Sequence, residues 1–346
     1  MTNPNHLSSQ EFLQQAQNLP VIDVRSPAEY AHAHIPKAVN IPLFDNDERA
    51  LVGTCYKKKG KDAAVLLGLE LVGPKLANFV RESKRLARTG EALVHCWRGG
   101  MRSGSFAWLL RTAGLKVQTL DGGYKAYRNH VLESFTESQN MIILGGKTGS
   151  GKTEILQEIQ KLNQQVIDLE GIAHHKGSSY GAIGQEKAPT SEQFENLVHQ
   201  QWAKLDRTQP LWLEDESRKI GGCYIPVPLW TQMRAAKVLF IDIPKEIRIE
   251  RLVKEYAFVS HQLLIEATDR IQKRLGGQHH QAAIEALDQQ DYATVADITL
   301  SYYDKSYLFG LSQRPPEQVV KVEILEDNPA QTAQKTIELA NTILQP

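Results

Sequence analysis

The sequence predicts an α/β protein built from two domains with mostly parallel sheets. Short apolar runs alternate with segments of helical periodicity over about the first 135 residues, and the alternation starts again at Met141. A chain of 346 residues is long enough for two ordinary domains. Residues 133–139 are polar and separate the two patterns, so we place the domain boundary there.

Four apolar runs predict the strands of the first domain, and two periodic segments between them predict helices. The strands are expected at residues 21–24, 39–42, 92–95 and 117–120, and the helices at 74–88 and 103–112. Since strands and helices alternate, we expect a parallel sheet.

The second domain has strand candidates in its first half and reads as helical from about residue 247. The strands are expected at residues 141–144, 165–169, 211–213 and 238–243, and the helices at 247–256, 261–275, 281–290 and 330–344. We therefore divide the chain into domains 1–135 and 139–300, followed by a helical C-terminal extension, 301–346, packed on the second domain.

Composition favours a soluble protein of the cytoplasm. Hydrophobic residues make up 41% of the chain, charged residues 23%, and the formal net charge is zero. The three cysteines are far apart, which argues against a disulfide framework or a zinc site. Residues 1–17 lack the apolar core of a signal peptide, and the most apolar stretch, 63–69, is too short to span a bilayer. We therefore expect no membrane partner.

A complete phosphate-binding loop lies in the middle of the chain. Residues 146–153 read GKTGSGKT, between an apolar strand and a helix-compatible stretch. The glycines let backbone N–H groups converge on an oxyanion, and the helix N-terminus adds partial positive charge. Lys152 is expected to reach terminal phosphate oxygens and Thr153 to ligate Mg²⁺. The predicted phosphate-binding residues are Gly146, Gly149, Ser150, Gly151, Lys152 and Thr153.

Two further groups of charged residues are candidates for the same ligand. An apolar strand ends in the carboxylates of residues 214–216, where Asp215 or Glu216 would hold Mg²⁺ together with Thr153; a solvated acidic turn is the alternative. Arg270 and Arg274 are spaced to share a helix face. Such a face clamps phosphates, or is simply solvated, and the sequence favours neither reading.

A second anion-binding loop follows the strand at residues 92–95. Residues 96–103 read CWRGGMRS, so that Cys96 stands at a strand end and a helix follows. Glycines 99 and 100 permit a tight turn whose amides stabilise a thiolate, with Arg98 and Arg102 nearby. The pattern favours Cys96 as a nucleophile, and the alternative is an inert buried cysteine.

Three segments around this loop resemble a rhodanese domain. They read VIDVRSPAEY at 21–30, HIPKAVNIP at 34–42 and LDGGY at 120–124. In that family the cysteine carries a persulfide or its selenium analogue. Here Trp97 stands where sulfurtransferases have an arginine, and the span from Cys96 to Arg102 is seven residues, which is also similar to phosphatases of rhodanese-like fold.

The whole chain, roughly residues 10–340, resembles the bacterial tRNA 2-selenouridine synthases. The resemblance rests on both loops and on DLEG at 168–171, EDESR at 214–218 and KRLGG at 273–277. It implies a tRNA substrate with 2-thiouridine at the wobble position, geranyl transfer from geranyl diphosphate to the sulfur, and replacement of that sulfur by selenium from selenophosphate. It implies no tightly bound cofactor, and an enzyme that supplies selenophosphate is a possible partner.

This resemblance assigns one step to each loop. The phosphate loop would hold the diphosphate of the geranyl donor, and Cys96 would carry selenium while Arg98 and Arg102 hold the donor. The densest basic cluster, Lys57, Lys58, Lys59 and Lys61, is a candidate for contact with the tRNA backbone, or else a solvated loop. Trp97 or Tyr180 would stack on the wobble base.

Three other functions fit parts of the sequence. An ATP-dependent enzyme with a sulfurtransferase module explains both loops. A rhodanese-like phosphatase or arsenate reductase explains the seven-residue span but leaves the second domain without a role. A tRNA-binding protein with degenerate loops disagrees with the intact Cys96, Lys152 and Thr153.

Overall fold

The computed structural model describes residues 5–343 and divides the chain into two units, Met1–Ser134 and Phe135–Pro346. Each unit contains its own five-stranded parallel sheet. The prediction of an α/β fold with parallel sheets is thereby confirmed. The division falls between residues 134 and 135, at the start of the polar stretch.

The first unit has a sheet in the order β1-β5-β4-β2-β3, with every neighbouring pair parallel. The strands are β1 (His6–Leu7), β2 (Val21–Asp23), β3 (Val39–Asn40), β4 (Glu91–His95) and β5 (Lys116–Leu120). The helices are α1 (Ser9–Gln15), α2 (Pro27–His32), α3 (Asn46–Lys59), α4 (Lys61–Val72), α5 (Leu76–Leu86), α6 (Met101–Thr112) and α7 (Gly123–Ser134).

Strand β4 is the centre of this sheet and carries its functional loop. Leu93 and Val94 are fully buried, and Phe106 and Leu110 of α6 are one helical turn apart in the same unit's core. Because the carboxyl ends of parallel strands meet at one edge of a sheet, the residue after β4, Cys96, lies where such folds place their sites.

The helix pair α3–α4 was missing from the prediction. No residue of α3 is buried, and α4 has large apolar residues on all sides although only Ala64 and Gly68 are buried, so neither helix shows an apolar stripe on one face. Within residues 5–343, the helical run Lys61–Leu86 is long and apolar enough to cross a membrane by length and composition. It comprises α4, a 3₁₀ turn and α5 and is therefore longer than the apolar stretch 63–69, and 11% of its apolar window is buried, so it lacks the burial of a core helix.

The second unit has a parallel sheet in the order β12-β11-β6-β8-β7 and a small antiparallel pair, β9 and β10. The strands are β6 (Met141–Gly146), β7 (Gln165–Val166), β8 (Leu211–Glu214), β9 (Lys219–Ile220), β10 (Cys223–Tyr224), β11 (Lys237–Asp242) and β12 (Val319–Glu323). The helices are α8 (Lys152–Lys161), α9 (Leu169–Ala173), α10 (Ser191–Trp202), α11 (Val227–Ala235), α12 (Lys245–Tyr256), α13 (His261–Asp269), α14 (Gln272–Leu275), α15 (Gly277–Asp288), α16 (Tyr292–Ser312) and α17 (Pro329–Ile343).

Strand β6 is the central strand here, and all six of its residues are buried. It pairs with β8 on one side and β11 on the other, so that Ile143 stands opposite Leu213 and Val238. The phosphate loop leaves the carboxyl end of β6 and enters α8, and the acids at the end of β8 are therefore beside it.

The C-terminal segment is part of the second sheet, which corrects the predicted helical extension at 301–346. The predicted boundary at residue 300 falls inside α16, and β12 pairs in parallel with β11 over five residues. Ala333 and Ala340 of α17 pack in the same core as Ile155 of α8. Strand β12 is an edge strand with four of five residues half-buried or exposed, so its sequence lacks the apolar run of a central strand.

Candidate active sites

Cys96 lies inside the loop that follows β4, with only 2% of its surface exposed. Its Sγ is 3.1 Å from Ser103 Oγ, which is itself 3.2 Å from the carbonyl oxygen of Gly100. Cys96 also packs in the core of the first unit. The expected nucleophile is therefore held beneath the loop, against one hydroxyl, and is not displayed on the surface.

Backbone hydrogen bonds from the segment that follows β5 hold the cysteine loop in place. The Tyr124 N–H donates to the Cys96 carbonyl at 2.8 Å, and the Lys125 N–H donates to the Trp97 carbonyl at 3.0 Å. Gly123 has φ +62°, and a Cβ there would lie 2.5 Å from Cys96 O and closer still to Gly99 N. The glycine therefore permits a contact that any side chain would prevent.

A buried ion pair lies beneath the same loop. Arg25 is 1% exposed, and its Nη2 is 2.6 Å from Oδ2 of Asp23. Its guanidinium carbon is 3.8 Å from the centre of the Tyr124 ring. Burial opposes ionisation of Asp23, but His95 and Arg25 together hold the pKa of Asp23 below its usual value. Arg25 thus lies near the cysteine loop, and its positive charge is neutralised by Asp23.

The phosphate loop lines a cavity of about 810 Å³ in the second unit. Gly149 and Gly151 have φ of +78° and +76°, values that favour glycine. Lys152 Nζ donates to the Gly146 carbonyl at 3.0 Å, so the lysine lies across the loop. All six predicted phosphate-binding residues of this loop line the cavity.

Three glutamates meet beside the phosphate loop. Glu170 Oε2 is 3.4 Å from Thr153 Oγ1, and the Glu170 N–H donates to Glu214 Oε1 at 2.6 Å. Burial, followed by the charges of Asp168 and Glu170, raises the pKa of Glu214 to about 8. Burial, followed by Glu170, also raises the pKa of Glu216 well above its usual value, while Lys152 opposes that shift. Sequence reasoning quoted Glu170 in a motif but gave it no role.

The oxygens of Thr153, Glu170 and Glu216 are of the type that Mg²⁺ prefers. Mg²⁺ is commonly held by one or two carboxylates together with waters and substrate phosphates, and these residues suit that sharing. Within residues 5–343, no group of three or more His, Cys, Asp or Glu side chains is arranged to hold a metal ion by itself. A metal at this place would therefore depend on phosphate oxygens for part of its coordination.

Asp215, the other predicted Mg²⁺ ligand, is already paired. Its Oδ1 accepts from Arg314 Nη2 at 2.7 Å, and its Oδ2 accepts from the Tyr307 hydroxyl at 3.0 Å. Arg314 is almost fully buried. Glu170, rather than Asp215, is the carboxylate that lies against Thr153.

Comparison with known proteins finds relatives that match both units. A model of the tRNA 2-selenouridine synthase AAA domain matches residues 139–334, and a model of the rhodanese-like domain matches residues 8–130. A tRNA 2-selenouridine synthase from Marinobacter nauticus is 35% identical over 340 residues, which cover 88% of this chain and 91% of that protein. The chain belongs to the tRNA 2-selenouridine synthase family.

Membership of this family confirms the rhodanese-like assignment of the first unit and the phosphate-loop assignment of the second. The solved structures match a smaller part of the chain. The N-terminal domain of a protein described as ATP/GTP-binding, from Clostridium difficile 630, is 42% identical and covers 36% of this chain and 98% of its own, with a TM-score of 0.34. A rhodanese-related protein from Thermoplasma volcanium is 19% identical and covers 36% and 92%, with a TM-score of 0.24.

The two arginines predicted beside Cys96 have different surroundings. Arg102 Nη1 is 2.8 Å from Glu29 Oε2, and this pairing keeps the pKa of Glu29 low although burial opposes it. Arg98 is exposed. Trp97 is half-buried, and its ring centre is 5.7 Å from that of Tyr124. Arg98 is thus the more accessible of the two guanidinium groups.

The predicted Arg270–Arg274 face does not form. Arg270 follows α13 and donates to the Ser179 carbonyl at 2.7 Å, whereas Arg274 belongs to α14 and donates to the Tyr302 hydroxyl at 3.2 Å. Among the described residues that line the phosphate-loop cavity, neither arginine appears. The helix break at Ile271 separates the two side chains, and a phosphate clamp made by this pair has no support in the structure.

The other tRNA-contact candidates divide between surface and core. Lys57, Lys58 and Lys59 are exposed at the end of α3, and Lys61 is exposed at the start of α4. Tyr180 lines the cavity, but it is 8% exposed, its ring stacks on Tyr256, and its hydroxyl is 2.7 Å from Thr268 Oγ1. Contact of the lysines with the tRNA backbone remains a prediction. The ring of Tyr180, which was predicted to stack on the wobble base, is already stacked on Tyr256.

Two arginines of α12 support the phosphate loop and were missed by sequence reasoning. Arg248 donates to the Thr148 carbonyl at 3.2 Å and to Asp304 Oδ1 at 2.8 Å. Arg251 Nη2 lies 2.7 Å from where a Cβ on Gly151 would be. The signal available was their spacing of three on a helix that follows a buried strand.

Proposed function

We propose that this protein converts 2-thiouridine at the wobble position of tRNA into 2-selenouridine in two steps, using geranyl diphosphate and then selenophosphate. Family membership supports the selenation of tRNA. The observation that carries the two-step proposal is the cavity of about 810 Å³ at the phosphate loop. Its walls combine the anion-binding loop with apolar and aromatic side chains, among them Trp230, Leu252 and Leu311.

In the first step, the phosphate loop holds the diphosphate and the apolar wall holds the ten-carbon chain. The thiocarbonyl sulfur attacks the allylic carbon, the C–O bond breaks with its electron pair going to diphosphate, and the N3–H proton of the ring is lost. Lys152 and the loop amides face the charge that builds on the leaving group, which lowers the barrier. Mg²⁺ held by Thr153 with Glu170 and Glu216 would neutralise part of the same charge.

In the second step, selenium from selenophosphate replaces the sulfur at C2 of the ring. Alkylation makes the sulfur a better leaving group, because it departs with the geranyl chain as a thiolate. Cys96 is the proposed selenium carrier in the sense that its loop, with the loop amides and Arg98, holds the selenophosphate anion. The selenium of the bound donor attacks C2, the geranyl thiolate leaves, and water cleaves the P–Se bond to release phosphate. Because only 2% of the Cys96 surface is exposed, this role requires the loop to open when it admits the donor.

The decisive experiment is mass spectrometry of nucleosides from tRNA incubated with variants and both donors. Cys96→Ala should accumulate geranylated 2-thiouridine and form no 2-selenouridine. Lys152→Ala should slow geranylation by about 10²–10³-fold, the loss seen when one oxyanion donor is removed. Cys55→Ala, a half-buried cysteine of the first unit outside the loop, is the matched control and should retain both products.

Two outcomes would contradict the proposal. Full selenation by Cys96→Ala would remove the carrier role, and full-rate geranylation by Lys152→Ala would remove the diphosphate assignment.

The proposed tRNA substrate implies action in the cytoplasm, and it makes an enzyme that supplies selenophosphate a plausible partner. Exposed Lys57, Lys58, Lys59 and Lys61 are the proposed contact with the tRNA backbone, so replacing them should reduce the salt dependence of binding.

A further inference from the structure

Tyr307 connects the acidic end of β8 to the first residue of the phosphate loop. Its hydroxyl accepts a hydrogen bond from the Gly146 N–H at 2.9 Å and donates to Asp215 Oδ2 at 3.0 Å. Asp215 Oδ1 in turn accepts from Arg314 Nη2 at 2.7 Å. The four groups form one continuous chain of hydrogen bonds, and they come from β6, the residue after β8, α16 and the loop after α16.

The direction of each hydrogen bond in this chain is fixed by chemistry. A backbone N–H only donates, so the Tyr307 oxygen accepts there and its single proton is directed to Asp215. Burial, followed by the charge of Asp215, raises the pKa of Tyr307 well above its usual value, so the hydroxyl keeps that proton. Arg314 also donates to the carbonyls of Met233 and Arg234, both at 3.0 Å, which holds the guanidinium in place.

The backbone around the hydroxyl is built to admit it. A Cβ on Gly145 would lie 2.7 Å from the Tyr307 oxygen and 2.7 Å from Val238 Cγ1. The Tyr307 ring stacks on Phe240, with ring centres 5.9 Å apart. Ring packing and a glycine opposite the hydroxyl thus place the oxygen at the Gly146 amide independently of Asp215.

We propose that Asp215 and Tyr307 are positioning residues that set the geometry of the phosphate loop, and that Asp215 does not ligate Mg²⁺. Gly146 connects the pair to the ligand, because its N–H is held by Tyr307 while its carbonyl accepts from Lys152 Nζ at 3.0 Å. The peptide planes around this glycine therefore decide where the lysine ammonium stands. This inference rests on the proposed function only in taking diphosphate as the ligand of the loop.

The test is a double-mutant cycle on the full-length protein, with inorganic pyrophosphate as the probe. Binding is measured by calorimetry for Tyr307→Phe, Asp215→Asn and the double variant, over a series of Mg²⁺ concentrations. Each single variant should bind pyrophosphate about fivefold more weakly, the effect of one lost hydrogen bond of about 1 kcal/mol. The double variant should be no weaker than the worse single variant, and the Mg²⁺ concentration for half-maximal binding should not change.

Tyr302→Phe is the matched control. It removes a tyrosine hydroxyl from the same helix, one that accepts from Arg274 outside the cavity, and it should leave pyrophosphate affinity unchanged. A higher Mg²⁺ requirement in Asp215→Asn alone would make Asp215 a metal ligand and overturn the proposal. Additive losses in the double variant would overturn it as well, because the two residues would then act separately.

Hydrogen exchange at the Gly146 amide gives a second readout that needs no ligand. Exchange should be faster in Tyr307→Phe, a change that keeps the ring stacked on Phe240. Unchanged exchange would refute the positioning role even if Asp215→Asn does not fold after Arg314 loses its counter-ion. If the wild-type protein shows protected Gly146 exchange but binds no pyrophosphate, the diphosphate assignment fails while the pairing itself stands.

Discussion

At the scale of single residues, the two loops depend on atoms supplied from far along the chain. Gly123 carries no side chain, and this lets the amides of Tyr124 and Lys125 donate to the carbonyls of Cys96 and Trp97. Tyr307 does the equivalent for the phosphate loop from 161 residues away. A loop motif therefore specifies which groups bind an anion, and the distant contacts specify where those groups stand.

Replacing Gly123 by Ala should abolish most of the selenation activity. The methyl group would collide with Cys96 O and Gly99 N, so the cysteine loop would have to shift. We expect at least a tenfold loss of selenium incorporation into tRNA, measured by nucleoside mass spectrometry, and a lower melting temperature.

The control for this substitution is Gly114→Ala. Gly114 also has a positive φ, +90°, but nothing lies within 4 Å of a Cβ built there. Both variants should lose about 1 kcal/mol of stability from the left-handed backbone alone. Equal activity of the two variants would show that the contact beneath the cysteine loop is unimportant.

Sequence reasoning identified Cys96 and the residues of the phosphate loop because each motif is continuous. It did not assign Glu170, Tyr307 or Arg251, since these reach the loop through tertiary packing and no spacing rule relates them to residues 146–153. It did not foresee the pairing of Asp215 for a related reason. An acid at the end of β8 suggests a metal ligand, but its partner Arg314, 99 residues later, is invisible to a local pattern.

At the scale of elements, the prediction succeeded for the central strands and for the edge strand β3, but it missed the edge strands β1 and β12. Strands buried on both faces are continuous apolar runs, and β2, β4, β5, β6, β8 and β11 were all found within a residue or two. Strand β12 was missed because it is half-exposed and defined by long-range pairing, and α3 and α4 were missed because neither has an apolar stripe on one face. Predicted strand 165–169 ended early, where Asp168 caps α9.

The end of β8 should make stability depend on pH. Glu214 is 2% exposed, with a pKa raised to about 8, so the folded protein keeps a proton that the unfolded chain loses above about pH 4.5. Stability therefore declines as pH rises from about 4.5 to about 8 and is flat above that. Glu214→Gln keeps the oxygen that accepts from the Glu170 N–H and remains neutral, so its melting temperature should fall less between pH 5 and pH 8.

Differential scanning fluorimetry across this pH range measures the effect. Glu70→Gln, an exposed glutamate on α4, serves as the control and should reproduce the wild-type curve. Parallel curves for wild type and Glu214→Gln would mean that this carboxyl is not the group that holds the proton.

At the scale of the whole molecule, the two units have separate cores, and the C-terminal residues belong to the second. Strand β12 covers the edge of β11, while Ala333 and Ala340 of α17 complete the core beside α8. The family assignment spans both units, since its two domain models match residues 8–130 and 139–334.

Deleting residues 315–346 should unfold the second unit and spare the first. The truncation exposes the hydrogen-bonding edge of β11 and removes the apolar face that α17 packs on the sheet. Calorimetry should show one transition, matching that of an isolated 1–134 fragment, and pyrophosphate binding should be lost. Retention of pyrophosphate binding by the truncated chain would show that β12 and α17 are dispensable to the second unit.

The dependence of Gly146 on Tyr307 has a consequence for synthesis of the chain. Ribosomes add about 5–20 residues per second, so the 161 residues between Gly146 and its hydroxyl partner take about 8–32 s to make. Over that interval the nascent polypeptide contains the glycine-rich segment without its anchor, whereas the residues around Cys96 in the first unit are all synthesised before Gly146. The cysteine loop can therefore be completed during synthesis, while the phosphate loop gains its last hydrogen-bond partner only when translation is nearly over.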